Sequence, residues 1–383
     1  MRIVADENIP CVEQAFASLG DVVLLPGRGM HPDQVRDADI LLVRSVTRVD
    51  RALLQGSSVR FTGSATIGFD HVDRDYLTQQ GIGFSTAPGC NATSAAEYVV
   101  SALMALSEKK DFSLSGKTVG IIGCGNVGSR VRRKLAALGM TCMVSDPPLA
   151  ASDDHAEFVE LDEALQADIV TLHVPLSNSG MHPTYHLVDT AALQKLKPGA
   201  VFINTSRGAV VDNRALNGLL EHRDDLSVVL DVWEDEPAIN VSLLEKIDLG
   251  TPHIAGYSLD GKLRGTGMIY RAACEYFGKD PQWDAADALP AGPSIDLDVS
   301  MYDDMATMIR AAVLAAYDVC ADDDRLRELP GLSPADRPDY FDRLRKEYPV
   351  RREFSAIRVM VDGLTDDLER VLSQLGFPVA VCA

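Results

Sequence analysis

TVGIIGCGNVGSRVRRKLAAL, residues 118–138, is the stretch whose reading decides the fold. Val119 to Ile122 is a continuous apolar run of the kind that forms a buried strand. Gly123, Gly125 and Gly128 follow in G-x-G-x-x-G spacing, and Val127, Val131, Leu135 and Leu138 then fall on one face of a helix. In such a strand–turn–helix, Gly123 permits the tight turn and Gly125 lets a pyrophosphate approach the backbone. Gly128 lets the helix pack close to the strand, and the free N–H groups of the helix start meet the anion. A second apolar stretch, Thr141 to Val144, leads to Asp146. A carboxylate there accepts hydrogen bonds from ribose hydroxyls and repels a 2′-phosphate, so the pattern predicts NAD rather than NADP.

The same alternation runs outward in both directions. Before it, Ile3–Ala5, Val22–Leu25, Ile40–Val43, Val59–Phe61 and Ile82–Phe84 read as strands, with a helix over Val12 to Leu19. Ala92 to Lys109 reads as a long buried helix, with Asn91 or Ser94 as its cap and Ser94/Glu97 at capping-box spacing. Asp111 to Gly116 reads as a hinge. After it come strands at 119–122, 141–144, 169–173, 201–204 and 228–231, with Asp248–Thr251 as a sixth edge. Strands separated by helices predict an α/β fold with parallel sheets. A helix over Lys262 to Phe277 returns to the first part of the chain. Residues 280–295, rich in Pro and Ala, read as a linker. The remainder reads as a small α+β unit. A helix carries Met305, Met308, Ile309, Val313 and Tyr317, followed by a strand at 357–361, a helix at 364–375 and a strand at 378–381.

Composition narrows the function. The net charge of −20 on 383 residues argues against a general nucleic-acid binder, which needs a basic surface. No run of 18 apolar residues exists, so no membrane partner is expected. The opening Met1–Asp6 enters a strand pattern directly, without a signal-peptide pattern, which predicts a cytoplasmic protein. Seven scattered cysteines, none in a C-x-x-C pair, read as free thiols, and no metal site is expected.

Three residues at strand ends suit the chemistry of a dehydrogenase. Hydride removal from a hydroxy acid needs a base for the hydroxyl proton, and His253 is suited to it near neutral pH. A carboxylate such as Glu236 orients the imidazole. A guanidinium such as Arg207 grips a substrate carboxylate at two points and steadies the developing carbonyl oxygen.

With these motifs in place, the chain resembles the D-2-hydroxyacid dehydrogenase family. The glycine loop, Asn204-Thr205-Ser206-Arg207-Gly208, Asp231-Val232-Trp233-Glu234-Asp235-Glu236-Pro237 and Thr251-Pro252-His253-Ile254-Ala255-Gly256 match its signatures in order. The resemblance implies a Rossmann-type NAD-binding domain, a flavodoxin-like split substrate domain, and Arg207, Glu236 and His253 as the catalytic set. It further implies NAD contacts from Asn126, Val127, Asp146, Val174, Ser206, Arg207, Asp231 and Gly256. Val174 departs from the family, which usually has Thr there, so a hydroxyl contact is lost. The polar segment Ser177–His186 also departs and reads as a surface loop.

Further matches point to one branch of the family. They are Ile3 to Pro10, Leu42 to Thr47, the turn Gly63 to Asp73, the run Ile254 to Lys262, and the extra carboxyl-terminal region. They imply a phosphorylated hydroxy acid as substrate, contacted by Ser45, Thr66 and Tyr257. Arg44 is the nearest basic candidate for its phosphate. They also imply a homodimer formed through a small α+β carboxyl-terminal dimerisation domain. The expected division is 1–93 with 257–283 for substrate, 94–256 for NAD, and 284–383 for dimerisation. Two rivals stand beside this reading. One is another family member, such as a phosphoglycerate dehydrogenase or hydroxypyruvate reductase. The other is a non-catalytic NAD-sensing regulator, which has no need of the full Arg207, Glu236 and His253 set.

Overall fold

The structure is a computed structural model that describes residues 1–152 and 157–382. Its contacts divide the chain into two units: Met1–Asn91 with Tyr257–Ala291, and Ala92–Gly256 with Gly292–Ala383.

The first unit is built on five parallel strands: β1 (Arg2–Asp6), β2 (Asp21–Leu25), β3 (Ile40–Val43), β4 (Phe61–Ser64) and β5 (Gly83–Ser85). Their order is β2-β1-β3-β4-β5, the doubly wound flavodoxin-like arrangement. β3 is apolar throughout and buried throughout, as a strand covered on both faces must be. One face packs Phe16, Phe61, Ile269 and Tyr270, the last two from the helix Leu259–Tyr276. The other packs Val4, Leu41, Val43, Tyr76 and Leu77.

The second unit contains six parallel strands: β6 (Thr118–Ile122), β7 (Thr141–Ser145), β8 (Ile169–Leu172), β9 (Val201–Asn204), β10 (Ser227–Leu230) and β11 (Leu249–Gly250). Their order is β11-β10-β9-β8-β6-β7. β6 pairs with β7 on one side and β8 on the other, so the sequence order reverses beside it and the glycine loop leaves from a topological switch point. Short helices cover the sheet, several opened by a side chain that accepts an N–H of the first turn, among them Asp189, Asp212 and Asn240.

The carboxyl-terminal segment adds a third parallel sheet, β12 (Ser294–Asp298), β13 (Arg358–Asp362) and β14 (Val379–Val381). Its helices join the core of the second unit: Leu326, Tyr340 and Phe341 pack with Phe202, Leu230, Trp233 and Leu243. A fully buried side chain such as Phe202 contributes roughly 2 kcal/mol by leaving water.

Several expected boundaries move. β4 starts at Phe61 and runs through Gly63 and Ser64, and the N–H groups of Arg60 and Phe61 both donate to the Asp39 carbonyl. The helix at Val12 stops at Phe16 rather than Leu19. The 280–295 linker contains a 3-10 turn, Ala285–Ala288, and the first residues of β12. The chain passes from the first unit to the second between Asn91 and Ala92, so Asp111–Gly116, expected as a hinge, lies inside the second unit. Ser94 does not form a capping box with Glu97. It sits inside the helix Ala92–Lys109, where its hydroxyl donates to Glu353 at 2.9 Å, while Glu97 accepts from Lys134 (3.3 Å) and the Phe354 N–H (3.1 Å).

Candidate active site

The turn after β6 has the shape its glycines predict. Gly123 has φ +86°, where a β-carbon would lie 2.8 Å from Val174 Cγ1. A β-carbon on Gly128 would lie 2.0 Å from the Gly123 carbonyl oxygen, so only glycine lets the helix Gly128–Ala137 sit this close to the strand. Val127, placed on the helix's apolar face by the sequence pattern, is its cap, and the helix starts at Gly128. At Gly125 a β-carbon would meet nothing within 4 Å. Its backbone and that of Asn126 are exposed, which leaves the approach to the helix N-terminus open for a pyrophosphate. Asp146 follows β7 with both carboxylate oxygens engaged: one accepts the Cys124 N–H at 2.7 Å, the other the Leu149 N–H at 3.1 Å. It thereby braces the glycine loop, and each oxygen keeps a lone pair for a ribose hydroxyl. Val174 follows β8 and packs against Gly123. These residues fit a dinucleotide.

Arg207 follows β9 and is half-buried; its Nη1 donates to the Ser206 carbonyl at 2.7 Å. Ser206 is buried, and both its N–H and its hydroxyl donate to Asn204 Oδ1. Asn204 Nδ2 in turn donates to the Arg207 carbonyl at 3.0 Å. One asparagine side chain thus fixes the turn that presents the guanidinium.

Asp231, expected to contact the cofactor, also builds the loop that carries His253. Its buried carboxylate accepts from Thr251 Oγ1 (2.7 Å), the Ile254 N–H (2.7 Å) and the Ala255 N–H (3.0 Å), and its carbonyl accepts the His253 N–H at 2.7 Å. Burial pushes this carboxyl above its ordinary range, while the three donors and the nearby His253 oppose the rise. Asp231 therefore builds the loop that holds His253 at φ +56°, a left-handed conformation that is uncommon outside glycine. Gly256 closes this loop, half-buried.

His253 Nδ1 lies 2.7 Å from Glu236 Oε2, and the other Glu236 oxygen accepts the Trp233 N–H at 2.8 Å. Burial alone would raise the Glu236 carboxyl. The adjacent His253, its hydrogen bond and the charge of Arg345 outweigh that and hold it below the usual range. Glu236 is thus an ionised acceptor that fixes the imidazole and leaves Nε2 for substrate. A cavity of about 300 Å³ is lined by Arg207, Glu236 and His253 together, with Tyr185, Trp233 and Glu234. His173, which stands nearby in sequence to Val174, is no competing base: its ring nitrogens face Thr171 Oγ1 (3.0 Å) and Thr205 Oγ1 (3.3 Å).

Four residues of this region went unremarked in the sequence. Arg345 reaches Glu236 electrically from a segment with no dehydrogenase motif. Glu234, His186 and Asn213 form one hydrogen-bonded set, and no local spacing links residues so far apart. His186, Asp212 and Glu234 also bring one ligand atom each within 4.8 Å, the spacing of a cation site. Here His186 Nε2 already faces Glu234 Oε1 at 2.7 Å, and Asp212 Oδ1 caps a helix by accepting the Ala215 N–H.

In the first unit, Arg44 and Ser45 follow β3, and Thr66 follows β4, so they share the carboxyl edge of adjacent strands. Arg44 Nε donates to the buried Asp6 at 3.0 Å, which fixes the guanidinium and offsets part of its charge. The Thr66 hydroxyl is 2.9 Å from that of Ser64, and Ser45 is exposed. Tyr257 precedes the helix Leu259–Tyr276, with Lys262 Nζ 4.4 Å from its ring centroid.

Comparison with known proteins shows the family of the chain. Residues 92–255 match the NAD binding domain of the D-isomer specific 2-hydroxyacid dehydrogenases, and residues 288–376 match a domain of unknown function. The chain is 47% identical to the erythronate-4-phosphate dehydrogenase of Marinobacter nauticus over the whole of both chains. It is 48% identical to that of Hahella chejuensis over 98% of this chain and 99% of the relative. Among solved structures, NAD-bound 3-phosphoglycerate dehydrogenase of Entamoeba histolytica shares the fold, with TM-score 0.63 and 24% identity over 73% of this chain and 95% of that one. Among the described residues no helix is long and apolar enough to cross a membrane. With its cofactor loop intact and its full length matched, the chain belongs to the erythronate-4-phosphate dehydrogenase family of NAD-dependent D-isomer specific 2-hydroxyacid dehydrogenases.

Proposed function

We propose that this enzyme oxidises 4-phospho-D-erythronate at C2 to 2-oxo-3-hydroxy-4-phosphobutanoate, a step toward pyridoxal 5′-phosphate. The observation that carries the reading is the convergence of Arg207, Glu236 and His253 on one cavity, in a chain 47% identical to erythronate-4-phosphate dehydrogenases. Bound NAD supplies a two-electron acceptor for the C2 hydride. Gly123, Gly125, Asn126, Val127 and Gly128 hold its pyrophosphate, Asp146 its ribose, and Val174, Ser206, Arg207 and Gly256 the remainder. Asp231 also contacts NAD and braces the His253 loop. Nε2 of His253 takes the C2 hydroxyl proton as the hydride leaves, and Glu236 steadies the imidazolium that results. Arg207 grips the C1 carboxylate and the developing carbonyl oxygen. Ser45, Thr66 and Tyr257 meet the acid's hydroxyls, and Arg44 its phosphate.

We assign residues 1–93 and 257–283 to the acid, 94–256 to NAD, and 284–383 to a homodimer interface. Met301 and Val350, each 76% exposed, support an interface in that last segment, and sedimentation of the full chain tests it. Seven free thiols fit a reducing compartment, so we place the enzyme in the cytoplasm. The deciding experiment is NADH formation from 4-phospho-D-erythronate, 3-phosphoglycerate and glycerate side by side. Turnover of 4-phospho-D-erythronate no faster than of the others overturns the assignment. His253→Ala should keep NAD binding and lose a factor of ~10² to 10⁴ in turnover; near-normal turnover would remove His253 as the base.

A further inference from the structure

Arg207 and Glu236 stand on separate loops, and the reaction needs both at fixed positions around one substrate. The two loops touch through backbone alone at Gly208, where a β-carbon would lie 1.9 Å from the Trp233 carbonyl oxygen. Contact this close needs a fastening, and one carboxylate provides it. Glu234 Oε2 accepts the Asn213 N–H at 2.8 Å, and the Glu234 N–H donates to Asn213 Oδ1 at 3.1 Å. The Asn213 amide then reaches back along the Arg207 loop, donating to the Val211 carbonyl at 2.9 Å and the Gly208 carbonyl at 3.4 Å. The other oxygen, Oε1, faces His186 Nε2 at 2.7 Å. His186 stacks on Tyr185 with ring centroids 4.1 Å apart, and Tyr185 lines the same cavity. The His186 N–H donates to the Ala209 carbonyl, which ties this third segment to the Arg207 loop as well.

We propose that Glu234 is a positioning residue for the dehydrogenase reaction: through Asn213 and His186 it locks the Arg207 loop, the Glu236 loop and Tyr185 into one rigid wall of the cavity. The inference rests on the catalytic roles proposed for Arg207 and Glu236. Glu234 stands two residues before Glu236, so its bond to Asn213 sets the spacing between acid and guanidinium. Partners that only orient a catalytic group commonly account for a factor of 10 to 100.

The test uses the full-length enzyme with NAD. In Glu234→Ala, kcat should fall roughly 10- to 100-fold and KM for 4-phospho-D-erythronate should rise, while NAD affinity stays within about twofold. Glu234→Gln keeps an oxygen for the Asn213 N–H and should recover to within roughly fivefold of wild type. Hydrogen exchange should quicken in residues 207–213 and 231–237 together in the alanine variant. Three results overturn the proposal: near-wild-type kcat in Glu234→Ala, a Gln variant as impaired as the Ala variant, or faster exchange confined to one loop. If the wild-type enzyme does not turn over this acid, the substrate assignment fails, and the exchange measurement alone decides the role of Glu234.

Discussion

Replacing Glu236 by Gln removes one charge and one acceptor, and the second loss is the graver. Each Glu236 oxygen receives a donor, the Trp233 N–H at 2.8 Å and His253 Nδ1 at 2.7 Å. Glutamine has a single oxygen, and its NH₂ group is a donor. If the oxygen stays with Trp233, the NH₂ faces His253, and Nδ1 must become the acceptor. The ring proton then sits on Nε2, where it blocks uptake of the substrate proton. An acid-to-amide change behind a catalytic histidine costs roughly 10³- to 10⁴-fold for this reason. Glu236→Ala removes the acceptor without imposing a donor, and water can serve Nδ1, so its loss should be nearer 10- to 100-fold. The amide, though closer in shape, is expected to be the worse enzyme. The assay is initial-rate NADH formation by wild type and both variants at one pH. A Gln variant within about tenfold of wild type, or one no more impaired than the Ala variant, would refute the reasoning.

Two paired substitutions test the cofactor loop. Gly128→Ala places a β-carbon 2.0 Å from the Gly123 carbonyl and should lower stability by roughly 1–3 kcal/mol in urea unfolding. Gly125→Ala meets no protein atom within 4 Å, so it should leave stability unchanged and weaken NAD roughly tenfold or more in calorimetry; equal effects from the two would contradict the division of labour. A third prediction concerns Glu97, whose carboxyl burial pushes up to about 7, against the opposing pull of Lys134. A carboxyl that is higher in the folded chain than in the unfolded one binds the extra proton when folded, so its contribution is present at low pH and lost as pH rises through about 7. Urea midpoints should fall between the ordinary carboxyl range and about pH 7 in wild type and less so in Glu97→Gln; parallel curves would remove the effect.

How much of this was legible in the chain depends on whether a residue's partners are local. Parallel strands covered on both faces are mostly apolar, so Ile40–Val43, Thr118–Ile122 and Val201–Asn204 announce themselves by their apolar runs. The glycine spacing is local too, since each glycine answers to atoms within a few residues or in the next strand. β12 was hidden because its sequence, SIDLD, follows a Pro- and Ala-rich run and buries only Leu297. The helices Val319–Leu326 and Arg337–Lys346 were hidden for a related reason: they are rich in charge, and the charges are used inward. Asp322 accepts the hydroxyls of Tyr317 and Tyr348, and Asp323 accepts the Gly250 N–H and Arg327. A buried Asp with far partners has the same letter as a solvated one. The same limit applies at the catalytic wall. His186, Asn213 and Glu234 are separated by 27 and 21 positions, and Glu234 lies in Glu-Asp-Glu, which alone reads as a solvated acidic run. The sheet order brings them together: β9 and β10 are neighbours, so the loops leaving their carboxyl ends must abut, and the polar groups enclosed between them must find each other. Motifs therefore name the groups that touch substrate, while the groups that hold those motifs in register are visible only once the strands are ordered.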